Sequence, residues 1–331
     1  MSHNYTIKDI AARANVGTTT VSRVLNDHPY VSDEKRQRVL NAMEELNYRQ
    51  NLSAKWLRSS NTGLVGFVTD AVATTPYAVD IIRGAQDAAS EQDHVLLVVS
   101  ASDTSNSIED AIEFLLERQV VGIIYAAMFH HAVDLPDNIY QVPTALANCY
   151  IKQRDLPSAV PDEFIGAYRA TRALLEAGHR RIAHLQVVPP ASDAREGRLA
   201  GYKAALEAYN IPFDASLCIE TFDHRSDENF NITQQLLAMD NPPTGFFCAN
   251  DRMTIATYQA IMHAGLSIPD DIGVVGFDNQ LDVVQNLKPQ LTSVQLPHYE
   301  MGAWAFNQLL INTSEPIQAK IDCPLVARAS V

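Results

Sequence analysis

The chain has 331 residues, enough for two or three compact units with cores of their own. Its 47% hydrophobic and 19% charged residues are ordinary for a globular protein and argue against wholesale disorder. No apolar run approaches the roughly 20 residues of a membrane helix. The polar N-terminus lacks the apolar core of a secretory signal, so neither membrane insertion nor export is expected.

The formal net charge of −14 is unevenly distributed along the chain. Residues 1–60 hold nine Lys and Arg against six Asp and Glu, a net charge of +3. The other 271 residues hold 16 basic and 33 acidic side chains, a net charge of −17. The sequence therefore joins a basic arm to an acidic body. Because salt screens the field of the body beyond about 8–10 Å, the net charge does not exclude binding of the arm to a polyanion.

Cysteine usage favours the cytoplasm. The four cysteines are far apart and form no CxxC pair, and three of them stand in apolar segments where Cys serves as a small buried hydrophobe. They are Cys149, Cys218, Cys248 and Cys323. Neither a disulfide, a metal site nor a cofactor is predicted.

Three short amphipathic helices are predicted near the N-terminus. Thr6 and Asp9 form a capping-box-like start, and residues 15–17 end the first helix. The apolar faces consist of Ile7, Ile10, Ala11 and Ala14 in the first helix, Val21, Val24 and Leu25 in the second, and Val39, Leu40, Met43 and Leu46 in the third. Three such helices around one small core match a helix-turn-helix headpiece.

The segment TIKDIAARANVGTTTVSRVLN, followed by VSDEKRQRVLNAMEELNY, resembles the headpiece of the LacI/GalR family of bacterial transcription regulators. The resemblance runs nearly residue for residue. It departs at Gly17, where the family usually has Ser, and glycine costs only a few tenths of a kcal/mol as a helix cap. The resemblance implies that double-stranded operator DNA is the partner and that the second helix reads it.

The second helix carries the candidate DNA contacts. The N-terminal part of a recognition helix faces base edges, which predicts that Thr18, Thr19 and Arg23 lie in the major groove. Arg23 can bond guanine O6 and N7 together, with a discrimination of about 1–3 kcal/mol. The alternative is that Arg23 lies on a solvated helix face. The side chains placed for phosphate contacts, which position without specifying, are Thr20, Ser22 and Asn26.

The stretch NLSAKWLRSS, within residues 50–61, resembles the hinge helix of the same family. The resemblance implies that this helix folds on the operator and inserts Leu57 into the minor groove, with Lys55 and Arg58 reaching phosphates. The segment is too short for a stable isolated helix, so its ordering on DNA is physically reasonable. Trp56 stands where a small residue is commoner. Packing between paired hinges and packing against the body both stay open for it.

From residue 63 onward, apolar runs alternate with amphipathic segments. Strands that are apolar on both faces and alternate with helices predict α/β units with parallel sheets, and two successive sets of them predict two lobes. The predicted strands are 64–69, 94–99, 120–126, 142–148, 181–187, 217–221, 245–250 and 272–277. The predicted helices are 77–91, 105–118, 163–177, 195–209, 226–239 and 252–264.

The segments EAGHRRIAHL, GRLAGYKAALEA, FFCANDRMTIATYQAI and IPDDIGVVGFDN resemble the periplasmic-binding-protein-like effector domain of the same family. With the headpiece, the resemblance covers essentially the whole chain. It implies a headpiece at 1–49, a hinge helix at 50–61 and an effector-binding and dimerisation domain at 62–331. The lobes it implies are about 62–160 with 292–322, and about 161–291 with 323–331.

Ligands of open α/β folds bind beyond the carboxyl ends of strands, which makes Asn250 and Asp278 candidate ligand contacts. Arg198 would add a fork of hydrogen-bond donors. Tyr77 and Phe222 could offer aromatic faces to a sugar ring. By position, these five residues match the effector contacts of the family.

Other polar residues have a structural interpretation. Asp251 is predicted to cap the helix that follows it. His130 and His131 fall in a predicted loop and are expected to be solvated, since no partner stands at metal-ligand spacing. The sequence contains no GxxxxGK[ST], GxSxG or HExxH motif, so no catalytic residues and no enzyme activity are expected.

The expected protein is a cytoplasmic, nucleoid-associated repressor of carbohydrate-utilisation genes. A pseudo-palindromic operator needs two headpieces, which predicts a homodimer or a higher oligomer. A small effector, expected to be a sugar between the lobes, would control operator affinity allosterically. A nucleoside or nucleobase effector and a partner-protein effector are alternatives. An enzyme acting on the same ligand is the rival from another class.

Overall fold

The structure is a computed structural model of the chain. It describes residues 5–25, 28–48, 63–70, 72–76, 78–101, 105–153, 155–187, 192–221, 226–311 and 316–331. The chain forms two compact units, Met1–Thr62 and Gly63–Val331, which are called the headpiece and the body. Within the described ranges, no helix is long and apolar enough to cross a membrane.

The headpiece contains three helices around one small core. A cluster centred on Ile10, Val21 and Val39, all fully buried, holds them together. The capping box is confirmed, since the Thr6 backbone N–H donates to Asp9 Oδ2 at 2.7 Å. The helices are α1 (Ile7–Ala14), α2 (Thr18–Leu25) and α3 (Asp33–Glu45).

Two features of α3 differ from the sequence prediction or add to it. Leu40 is 45% exposed, so its assignment to the apolar face is wrong, and Ala42 is buried instead. The helical period explains this, because Ala42 stands three residues after the buried Val39.

Arg38 donates from Nε to the Ala14 carbonyl at 3.0 Å and from Nη2 to the Asn15 carbonyl at 2.6 Å. These bonds satisfy carbonyl groups at the end of α1.

The body is an α/β structure with twelve described strands. In chain order these are β1 (Leu64–Thr69), β2 (Val95–Ser100), β3 (Gly122–Ala132), β4 (Thr144–Tyr150), β5 (Ser158–Pro161), β6 (Ile182–Val187), β7 (Cys218–Thr221), β8 (Gly245–Cys248), β9 (Gly273–Asp278), β10 (Thr292–Gln295), β11 (Gln318–Ile321) and β12 (Leu325–Val326). Its described helices are α4 (Asp80–Glu91), α5 (Ser105–Leu116), α6 (Glu163–Glu176), α7 (Asp193–Ala208), α8 (Ser226–Leu237), α9 (Asp251–His263), α10 (Leu281–Val284) and α11 (His298–Leu309).

The strands form two six-stranded sheets, in the orders β11-β5-β4-β3-β1-β2 and β12-β10-β9-β8-β6-β7. All described pairings are parallel except the antiparallel pairing of β10 with β12. Side chains on opposite faces of a strand belong to different apolar clusters, so each sheet is covered by a hydrophobic core on both faces. The prediction of two lobes built on parallel sheets is confirmed.

The chain crosses between the two sheets three times: after β5, after β10 and after β11. One expected boundary is wrong, because β10 pairs with β9 and therefore belongs to the second sheet, not to a first-lobe segment 292–322. The chain returns to the first sheet with α11, which packs against α4. The approach is so close that a Cβ at Gly84 would overlap the carbonyl of Tyr299. No strand was predicted at β10, so the sequence did not indicate which sheet this segment joins.

Candidate functional sites

The second helix of the headpiece separates an exposed face from a buried one. Thr18, Thr19 and Arg23 are exposed, whereas Val21 and Val24 point into the core. Thr18 and Thr19 lie in the first turn of α2, the part of a recognition helix that reaches base edges, and Arg23 lies four residues after Thr19 on the same face. The arrangement can place polar groups in a groove without disturbing the core.

Gly17 directly precedes α2, and its carbonyl accepts the backbone N–H of Thr20 at 2.9 Å and of Val21 at 3.2 Å. Thr20 and Ser22 are half-buried beside the exposed face. Four of the predicted DNA contacts lie outside the described residues: Asn26, Lys55, Leu57 and Arg58. Trp56 also lies outside them.

The body holds a cavity of about 350 Å³ between its two sheets. Residues at or just beyond the carboxyl ends of β3, β4, β6, β8 and β9 line it, together with the first residues of α6 and α11. This is the position at which open α/β sheets bind ligands. The cavity brings together Arg198, Asn250 and Asp278, three of the five predicted effector contacts. The other two, Tyr77 and Phe222, lie outside the described residues.

Arg198, on α7, is held by three interactions. Its Nε donates to Glu163 Oε2 at 2.7 Å, and its Nη1 donates to the carbonyl of Ala249. The guanidinium lies over the ring of Phe277, 3.8 Å from the centroid. Only 12% of the Arg198 side chain and 4% of the Glu163 side chain are exposed, so the two form a buried ion pair. Sequence reasoning missed Glu163, which stands at the start of a helix where acids are commonplace.

The helix cap of α9 is Asn250, whereas the sequence prediction gave this role to Asp251. Asn250 caps α9, since its side chain accepts the backbone N–H of Met253 at 3.0 Å. Asp251 is fully buried, and its carboxylate accepts the Ser293 hydroxyl at 2.5 Å and the Gln280 backbone N–H at 2.7 Å. The assignment of Asp251 as the cap is therefore wrong. It instead links the ends of β9 and β10, and burial raises the pKa of its carboxyl group.

Asp278 closes strand β9 in a strained backbone conformation, with a φ of 111°. Its Oδ2 accepts the side-chain amide of Gln280 at 2.9 Å. Burial raises the pKa of the Asp278 carboxyl, and Arg198 opposes that rise. The carboxyl can thus accept or, when protonated, donate a hydrogen bond at the cavity wall.

Histidines contribute to the cavity in a way that the sequence did not indicate. His130 lies on β3, and 11% of its side chain is exposed, so the prediction of a solvated loop is wrong. Strand β3 simply continues beyond its apolar run to Ala132. His131, the next residue, is half-buried, with Nδ1 2.7 Å from the Phe129 carbonyl oxygen.

His184 and His298 also line the cavity and are buried. His184 lies within β6, where its ring stacks on that of Phe247 with centroids 4.4 Å apart. His298 is the first residue of α11. Burial lowers the pKa of each imidazole to about 4, so both are neutral at pH 7. A histidine inside an apolar strand reads as core from sequence, and nothing in the pattern IAHLQV marks it as a cavity residue.

Two family models match this chain. Residues 62–329 match periplasmic binding proteins and the sugar binding domain of the LacI family, and residues 6–51 match bacterial regulatory proteins of the lacI family. The chain belongs to the LacI family. The headpiece α1–α3 and the two-sheet body are the two parts that this family combines.

Relatives match the LacI-family chain over nearly its full length. Catabolite control protein A of Priestia megaterium is 31% identical over 312 residues, which is 92% of this chain and 92% of the relative. The sucrose operon repressor of Escherichia coli is 30% identical over 332 residues, 98% of this chain and 99% of the relative. The crystal structure of the lac repressor dimer bound to operator and the anti-inducer ONPF has a TM-score of 0.79 at 26% identity, covering 99% of each chain.

These relatives are regulators of transcription, which confirms the sequence expectation of a DNA-binding transcription regulator in place of an enzyme. In the described part of the chain, no group of three or more His, Cys, Asp or Glu side chains is arranged to hold a metal ion. The cysteines are unpaired thiols, and Cys149, Cys248 and Cys323 are buried, as their apolar surroundings predicted.

Proposed function

We propose that this LacI-family chain represses carbohydrate-utilisation genes and that a sugar bound in the cavity sets its operator affinity. The convergence of Arg198, Asn250 and Asp278 on a cavity of about 350 Å³ carries the proposal. The volume suits a small molecule, and the polar groups can fix its hydroxyls. The name of the sucrose operon repressor supports a sugar as the effector class. Tyr77 and Phe222 would add aromatic faces for the sugar ring.

On the DNA side, Thr18, Thr19 and Arg23 would read base edges, since they are exposed on α2. Phosphate contacts would position the helix without specifying the sequence. Leu57 would act as the wedge in the minor groove. The residues proposed for phosphate contacts are Thr20, Ser22, Asn26, Lys55 and Arg58.

Regulation would act on a homodimer. A pseudo-palindromic operator binds two headpieces, and sedimentation velocity of the chain with a self-complementary operator should show two chains per duplex. Sugar binding would shift the population of DNA-competent dimers. Because coupling between two sites is reciprocal, operator DNA must change sugar affinity by the same factor as sugar changes operator affinity.

The decisive experiment is a thermal-unfolding screen of the full chain against sugars, nucleosides and nucleobases, followed by operator titrations with each compound that binds. One sugar should raise the unfolding temperature and change operator affinity. Stabilisation by a nucleoside alone would move the effector to that class. Sugar affinity that operator DNA leaves unchanged would contradict the allosteric mechanism, and conversion of the sugar to a product would favour an enzyme.

A further inference from the structure

Unsatisfied polar atoms concentrate in the cavity of the body. Among the described residues, three histidines each have a buried ring nitrogen without a hydrogen-bond partner: His130 Nδ1, His184 Nε2 and His298 Nε2. All three rings line the same cavity. Buried polar groups in native proteins are nearly always hydrogen-bonded, and one left unpaired costs about 1–3 kcal/mol. Three such atoms around one cavity therefore indicate a ligand that bonds them.

His184 shows what kind of ligand group is required. Its Nδ1 lies 3.0 Å from the carbonyl oxygen of Phe247. A carbonyl only accepts, so Nδ1 carries the proton. The ring is fully buried between Phe247 and Tyr202, and burial lowers its pKa to about 4. At pH 7 the ring is neutral, so Nε2 has only a lone pair and its partner must donate a hydrogen bond.

The charges around the cavity disfavour an anion. Arg198 is paired with Glu163, and Arg195 is paired with Glu220. Arg252, which also lines the cavity, is engaged in an interaction of its own. His298 is neutral at pH 7, because burial and then Arg198 lower its pKa to about 4.

A carboxylate or phosphate would therefore enter a cavity whose cations already have partners. Desolvating an anion without a new cation partner is unfavourable. The same donors and acceptors suit hydroxyl groups, which bring no charge and can donate and accept at once.

We propose that His184 is a specificity-determining residue of the cavity and that, together with His298, it selects an uncharged polyhydroxylated effector with a hydroxyl that donates to His184 Nε2. The inference rests on the proposed function, because it assumes that the cavity binds the effector. It narrows the ligand from sugars in general to neutral sugars, and it excludes sugar phosphates and sugar acids as the preferred effector.

The test uses the full chain and isothermal titration with D-ribose, D-glucose, cellobiose and sucrose, each against a phosphorylated or carboxylated counterpart such as D-glucose 6-phosphate and D-glucuronate. A neutral sugar should bind at least about 10-fold more tightly than its charged counterpart. His184→Phe, which keeps an aromatic ring but no acceptor, should weaken that sugar by about 10- to 100-fold. His263→Phe, at an exposed histidine of α9 away from the cavity, is the matched control and should bind like the wild type.

Monodeoxy analogues of the bound sugar identify the donor. One analogue should bind the wild type more weakly than the parent sugar does, by the same factor by which His184→Phe weakens binding of the parent sugar. The affinity of that analogue for His184→Phe should be no lower than its affinity for the wild type. If His184→Phe does not unfold cooperatively, His184→Gln, which keeps an acceptor oxygen, and the analogue series on the wild type decide. Equal affinity of every analogue would then overturn the inference.

The inference and the proposed function fail differently. Unchanged sugar affinity in His184→Phe, combined with loss of affinity in Asp278→Asn, leaves the sensor in place and overturns the role of His184. Tighter binding of a charged counterpart overturns the selection of a neutral effector. If neither variant changes sugar binding, or if no compound of the panel binds, the cavity is not the sensor site and the proposed function fails as well.

Discussion

The headpiece and the body hold their functional side chains in opposite ways. In the headpiece, Thr18, Thr19 and Arg23 lie on the exposed face of α2, and the opposite face of this helix packs into the core around Val21. In the body, the side chains around the cavity are largely buried and hold one another, as the ion pair of Arg198 with Glu163 shows. In the headpiece, the side chains proposed to bind DNA are therefore different from those that stabilise the fold. In the body, the side chains that line the cavity also contribute to stability. Substitutions at the two sites should have correspondingly different consequences.

The largest expected effect is the loss of the buried ion pair in the body. Arg198→Met leaves the carboxylate of Glu163 buried without a partner, so the free energy of unfolding should fall by about 3–5 kcal/mol. The double variant Glu163→Gln with Arg198→Met should recover much of this loss, because no charge is then stranded. Urea denaturation of the full chain measures both.

The control for this prediction is Arg172→Met, which removes a surface pair with Glu176 whose side chains are 47% and 59% exposed. It should change the free energy of unfolding by less than about 0.5 kcal/mol. Equal losses for Arg198→Met and Arg172→Met would mean that the cavity pair contributes no more to stability than a surface pair.

The next effect is a pH dependence of stability that the cavity histidines impose. The imidazole of His184 has its pKa lowered from about 6.5 to about 4 by burial. As the pH falls, the imidazole is protonated in the unfolded chain before it is protonated in the folded chain. The contribution of His184 to stability is therefore fully present above pH 6.5 and is lost as the pH falls to about 4. The loss is about 3 kcal/mol, at 1.36 kcal/mol per pKa unit. Burial also lowers the pKa of His298 to about 4, so its contribution to stability is lost over the same pH range.

Urea denaturation at pH 7 and pH 4.5 checks this prediction. Between these pH values the wild type should lose about 2 kcal/mol more of its free energy of unfolding than His184→Phe, because the variant lacks the titrating ring. Comparing the two proteins at each pH removes the contributions of other groups. Parallel pH dependences of the two proteins would show that His184 is not buried in its neutral form.

In the headpiece, the expected effect falls on binding and leaves stability alone. Arg23→Ala should weaken operator binding by about 1–3 kcal/mol and relax the preference at one base pair in each half-site. Its free energy of unfolding should stay within about 0.5 kcal/mol of the wild type, since Arg23 is exposed. Competition binding against operators altered at single base pairs measures the preference.

Lys35→Ala, at another exposed cation of the headpiece, controls for the loss of one charge. It should leave the order of preference among the altered operators unchanged. If Arg23→Ala weakened all sequences equally, Arg23 would be a phosphate contact, and the base-reading role would be wrong.

The smallest expected effect is at the start of α2. A Cβ at Gly17 would meet no atom within 4 Å, so Gly17→Ser introduces no clash. Serine should stabilise the headpiece by a few tenths of a kcal/mol by capping the helix, whereas Gly17→Ala should be less stable than Gly17→Ser by about 1 kcal/mol. Thermal unfolding of the full chains gives the order. Equal stability of the two variants would mean that no side-chain cap forms.

The sequence predicted the headpiece better than the cavity, for a physical reason. An amphipathic helix repeats its pattern in the chain, so the inward side of Val21 and Val24 can be read directly. Even there, Leu40 was misassigned, because an apolar residue at the edge of a helical face need not be covered. In the body, alternating apolar strands gave the two lobes, and strand ends pointed to Asn250 and Asp278.

The remaining cavity residues depend on which strands become neighbours, and a single sequence does not contain that information. His184 is part of an apolar run, and Glu163 looks like an ordinary acid at a helix start. His130 was assigned to a loop because the apolar run before it ends earlier than the strand does. The short strands β5, β10, β11 and β12 escaped prediction, because SAVP, TSVQ, QAKI and LV form no continuous apolar run.

Part of the cavity wall lies next to the segments in which the chain crosses between the two sheets. Glu163 and His298 are the first residues of α6 and α11, directly after two of these crossings. A molecule that contacts either side chain would therefore act close to the segments that join the two sheets.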